Sequence, residues 1–111
     1  MGTTPTIAKV ELKACCKKSI KDISQILTAG KWLQRLILPL GALNCFISPS
    51  KGAALTTINS VRATDWELLA RATIAVPEIT KNRVRQIAGM EAIKHIGKLS
   101  EFWQATYDAF Q

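Results

Sequence analysis

The side chains best suited to nucleophilic or metal chemistry are one imidazole, His95, and three thiols, Cys15, Cys16 and Cys45. An imidazole beside a thiol can draw off its proton and leave a nucleophilic thiolate, and Cys15 or Cys16 with His95 has the composition of such a pair. No residue close to either in sequence supplies the third group that would orient the ring. A lone histidine on a helix is more often a surface or packing residue than a catalyst. The same four residues lack the C-x-x-C or H-x₃-H spacing of zinc sites. Gly30, Gly41, Gly52, Gly89 and Gly97 are scattered, and form neither a phosphate-cradling loop nor a dinucleotide fingerprint. A non-enzymatic protein without metal or cofactor is the expectation.

Charge points elsewhere. The chain has 15 basic and 8 acidic residues, a net charge of +7. Residues 1–62 hold nine basic side chains against Glu11 and Asp22, and no acid occurs between Asp22 and Asp65. In residues 63–111 the two signs cancel. A one-signed half suits a polyanion or an anionic bilayer. Lys9, Lys13, Lys17 and Lys21 recur every four residues, so a helix would align them on one edge, with Lys18, Lys31 and Arg35 nearby in sequence. Lys17, Lys18, Lys21, Lys31 and Arg35 are expected to contact nucleic-acid phosphates without reading bases.

A second basic group lies in a segment with the outline of a helix-turn-helix. A helix over 65–75, a turn containing Pro77 and a helix from Lys81 would present Lys81, Asn82, Arg83, Arg85 and Gln86 at the N-terminus of a recognition helix. Arginine can bond guanine in bidentate fashion, and asparagine or glutamine adenine. The turn is longer than the usual three or four residues and lacks a glycine at its bend. The leading expectation is a nucleic-acid-binding or nucleoprotein-accessory protein that self-associates. The alternative is a protein-binding adaptor or inhibitor, docking through the apolar 32–47 segment and the aromatic residues Phe102, Trp103, Tyr107 and Phe110. A third reading is peripheral membrane binding, since Met1-Gly2-Thr3-Thr4-Pro5-Thr6 fits the N-myristoylation pattern beside a basic segment.

The elements that must position these residues read as helices. With 48% hydrophobic and 21% charged residues the chain is globular in composition, and its 111 residues suit one domain over 7–111 behind a flexible tail, 1–6. An odd cysteine count and no secretory hydrophobic region predict reduced thiols and a cytoplasmic protein. Residues 8–14 alternate apolar and polar as a strand does, but Leu12, Cys16, Ile20, Ile23 and Leu27 keep helical spacing, and no second alternating run offers a partner. The pattern predicts one helix over 7–28, ended by Gly30, with a short edge strand before a helix capped at Ser19 as the alternative. The 32–47 segment has about 16 residues where a membrane span needs about 20, and Pro39 divides it into two short helical pieces. A weak helical stripe follows through Leu55, Ile58 and Val61. Thr64 and Glu67 form a capping box for the next helix, which Pro77 stops near Ala75. A helix capped by Thr80 is expected to break or bend at Gly89, and a last one to start near Ser100. The predicted fold is an all-α bundle of five or six short helices.

Overall fold

The computed structural model describes residues 10–30, 41–46, 57–58 and 60–111. They are mostly helical, and build four α-helices, two short 3-10 helices and one two-stranded ribbon. Among the described residues there are four α-helices, where the sequence predicts five or six for the chain.

The ribbon corrects the first helix. Strand β1, Val10–Glu11, pairs antiparallel with β2, Thr57–Ile58, in the register Val10 to Ile58 and Glu11 to Thr57. Val10 and Ile58 are buried and Glu11 is exposed, so the alternation is a true strand signal at Val10 and Glu11. Its partner escapes detection because two residues are too few to alternate. The stripe expected through Ile58 and Val61 is accordingly not helical at Ile58. Helix α1, Ala14–Gly30, starts seven residues later than predicted, where the Lys13 carbonyl accepts the N–H groups of Cys16 and Lys17. Its buried face carries Leu27, Ile23, Ile20 and Cys16, together with Ser24. Gly41–Phe46 forms a 3-10 helix that buries Leu43, Cys45 and Phe46; the rest of the apolar 32–47 stretch, and the Gly2 pattern, lie outside the described residues.

Helix α2, Ala63–Ala72, begins two residues before the expected start at 65, with Arg62 in the N-cap position in place of Thr64. The Asp65 carboxylate accepts the Arg62 N–H at 3.0 Å, so the backbone-capping acid is Asp65 rather than Glu67. A 3-10 turn, Thr73–Ala75, carries the chain to Pro77, whose fixed φ of −58° starts helix α3, Glu78–Lys94. Thr80 is buried within this helix and is not its cap. The helix also runs unbroken through Gly89. Its buried positions, Thr80, Val84, Ala88 and Glu91, form a narrow stripe in which two of four are polar. Ile79, Met90 and Ile93 sit on the exposed side, which is why the apolar pattern looks broken in sequence.

Gly97, at φ +69°, turns the chain into helix α4, Lys98–Ala109. This helix is the hub: it packs on α3 and α2 and meets β1, while α1 packs on α3. Phe102 sits at its centre, with ring centroids 5.2 Å from Trp103, 5.8 Å from Trp66 and 6.1 Å from Phe46. Among the described residues no helix is long and apolar enough to cross a membrane.

Candidate functional site

Where α1 crosses α3, the hydrophobic core gives way to a polar cluster. Cys16 and Ser19 share one side of the first turns of α1. Glu91 sits at i, i+4 from His95, which caps the C-terminus of α3 in an extended conformation. Trp103 reaches in from α4. His95 Nε2 lies 3.0 Å from Glu91 Oε1 and 3.4 Å from Cys16 Sγ, and Cys16 Sγ lies 3.5 Å from the same carboxylate oxygen. Ser19 donates to Glu91 Oε2 at 2.9 Å, Lys94 Nζ stands 3.6 Å from that oxygen, and the Trp103 indole N–H points at Cys16 Sγ from 3.3 Å. Cys16 is fully buried and Glu91 is 3% exposed.

A buried carboxylate must be compensated to remain ionised. Burial pushes the Glu91 carboxyl up, but hydrogen bonds from His95, Ser19 and Cys16, with the nearby Lys94 charge, outweigh it and hold the group below the usual carboxylate range. The third group that a thiol–imidazole pair needs is therefore present, and it is Glu91. Its arrangement is not that of a proton relay. In a relay the imidazole bridges nucleophile and acid through opposite ring nitrogens. Here thiol and carboxylate converge on one nitrogen, and the sulfur is shut away from solvent. Such convergence suits a shared proton or a cation. Beside the cluster, His95 opens on a groove of about 580 Å³ lined also by Glu11, Lys13, Ile96 and Lys98.

The other thiol of known surroundings is inert: burial pushes Cys45 up to about 12, against smaller opposing backbone hydrogen bonds.

The residues expected to bind nucleic acid fall into separate groups. Lys18 and Lys21 are exposed and Lys17 half-buried on α1, while Lys31 and Arg35 lie outside the described residues. On α3, Asn82 and Arg83 are exposed and Lys81 is half-buried. Arg85 is not displayed as a base reader. Its guanidinium donates to the Phe110 carbonyl at 2.6 Å and pairs with Glu78, which it holds below the usual carboxylate range. The helix-turn-helix outline also fails in packing, because α2 rests on α4 rather than on α3. The aromatic partner surface is core instead: Phe102, Trp103 and Phe110 are completely enclosed by this chain, and Tyr107 is half-buried beside Gly89. Two helices and a strand pack on α4, which is why its aromatic stripe turns inward.

The Glu91–His95 spacing is the one part of the polar cluster that a sequence displays, as an i, i+4 pair. Cys16 joins from 75 residues away, and no local signal announces it. No protein-family model, curated protein or solved structure matches the chain.

Proposed function

We propose that the protein is a non-enzymatic nucleic-acid-binding or nucleoprotein-accessory protein that grips the phosphate backbone through the lysine edge of α1. The carrying observation is the lack of compensation there. Among the described residues no carboxylate comes within ion-pair distance of Lys13, Lys17, Lys18 or Lys21. The one acid of α1, Asp22, lines a shallow groove with Thr80, Arg83 and Ile87 between α1 and α3; it stands one turn beyond Lys18 without forming an ion pair with it, and on a different flank from Lys17 and Lys21. Lys13, Lys17 and Lys21 repeat at one helical turn, a spacing that lets successive ammonium groups follow a run of phosphates. Lys81, Asn82 and Arg83 offer a second contact surface at the start of α3. With Arg85 occupied, the reading predicts little base specificity.

Fluorescence anisotropy with a random-sequence duplex and a single strand tests it. Four lysine–phosphate contacts imply a slope of about −3.6 in log K against log salt on duplex, or roughly 150-fold weaker binding between about 50 and 200 mM. Replacing the four lysines by glutamine should abolish binding while the circular dichroism spectrum stays unchanged. No binding at the lower salt, or undiminished binding by the quadruple variant, refutes the proposal.

A second observation favours a protein partner over a different surface. Ile79, Met90 and Ile93 share the outer side of α3, with Ile74 before it and Ile96 after it; Ile93 is 86% and Ile96 93% exposed. Apolar side chains concentrated in this way mark an interaction face. An adaptor, or a self-associating chain, would use this strip in place of the enclosed aromatics. Sedimentation at rising concentration, compared with Ile93→Asp, is the check on self-association: a lone monomer throughout removes that form of the reading.

A further inference from the structure

We propose that Cys16 Sγ, His95 Nε2 and Glu91 Oε1 form a binding site for a divalent transition-metal ion of the zinc class, a role separate from the polyanion reading. The dimensions of the cluster match such an ion. A tetrahedral zinc ion with bonds of about 2.3 Å to sulfur and about 2.0 Å to nitrogen and oxygen holds these donors roughly 3.3–3.6 Å apart. The three edges of the observed triangle are 3.4, 3.5 and 3.0 Å. The triangle needs to open along one edge only, by roughly 0.3 Å, to seat the ion.

All three donors face one point instead of being strung in series, and His95 offers to it the nitrogen that the other two already approach. The surrounding groups are those that steady metal ligands. Ser19 ties down Glu91 Oε2 at 2.9 Å and so leaves Oε1 turned to the cluster, while the Trp103 N–H at 3.3 Å is placed to stabilise a sulfur that has lost its proton.

A thiolate and a carboxylate buried together carry two negative charges, which a divalent ion with a neutral imidazole cancels. The thiol proton leaves to solvent as the ion enters, so affinity rises with pH. One sulfur, one nitrogen and one oxygen select a borderline-soft ion, whereas magnesium and calcium want oxygen donors throughout. The groove lined by His95 borders the cluster and is the route of entry this site would use.

The full chain, stripped with chelator and then titrated with zinc against a chromophoric competitor, should take up one equivalent. Cobalt should bind with a near-ultraviolet sulfur-to-metal band. His95→Gln at the groove edge should weaken zinc at least about 100-fold, and Ser19→Ala, which touches no metal, about 10- to 100-fold. Cys16→Ser should remove the cobalt sulfur band; should that variant not fold, His95→Gln with a native circular dichroism spectrum carries the test. The inference is overturned if the stripped wild-type chain takes up no zinc at micromolar concentration, or if folded His95→Gln binds as tightly as wild type.

Discussion

Replacing Glu91 by glutamine keeps the shape of the side chain and removes its charge. The carboxylate takes a hydrogen bond from Ser19 at 2.9 Å and contacts His95 at 3.0 Å, with a longer contact to Cys16 and the half-exposed Lys94 at 3.6 Å. A hydrogen bond to an ionised group is worth about 1 kcal/mol more than a neutral one. The two short contacts therefore cost about 2 kcal/mol, and the exposed ammonium adds little. For 111 residues the unfolding entropy is about 0.23 kcal/mol per degree, so the melting temperature should fall roughly 9 °C at neutral pH. The pH dependence fixes the cause. Glu91 is held below its ordinary value, so its contribution is complete above about pH 4.5, the unfolded carboxyl range, and is lost as pH falls through the folded value. Wild type and variant should thus converge in acid. Thermal melts by circular dichroism, with chelator present, from about pH 7 to about pH 3 measure both effects. Equal stability at neutral pH, or a gap that persists undiminished in acid, refutes the account of Glu91 as an ionised, hydrogen-bonded anchor.

Four further outcomes can be checked with the same melts or by labelling. Gly89→Ala should raise stability by about 0.5–1 kcal/mol, since the added Cβ meets the Tyr107 ring at an ordinary 3.5 Å inside a helix. Gly97→Ala should lower it by about 1 kcal/mol although nothing lies within 4 Å, because φ is +69° there. Phe102→Ala should cost about 3–5 kcal/mol, or roughly 13–22 °C, as the ring joins Phe46, Trp66 and Trp103. Cys45 should resist iodoacetamide in the native protein at mildly alkaline pH and react once denatured, as peptide mass mapping will report.

Sequence periodicity carried the helical class, the turn at Pro77 and a last helix beginning near Ser100. It missed where polar residues do core work. Thr80 and Glu91 occupy half the buried positions of α3, so a reading that equates buried with apolar breaks that helix at Gly89. The ribbon was half legible: Val10–Glu11 shows its alternation, but the two residues of its partner are silent. The polar cluster was least legible, because its parts come from three helices and the deciding contacts span 75 to 87 residues. Long-range juxtaposition leaves no trace in local spacing.

The placement of α4 as hub bears on how the molecule assembles. Trp103 reaches Cys16 across 87 positions, and the same helix braces β1 near the opposite end of the described chain. Contacts so remote require large loops to close before they stabilise anything, which slows folding and makes their formation a late, concerted event. A spectroscopic probe seated at Cys16 would accordingly stay silent through partial collapse and report only molecules that have finished the search.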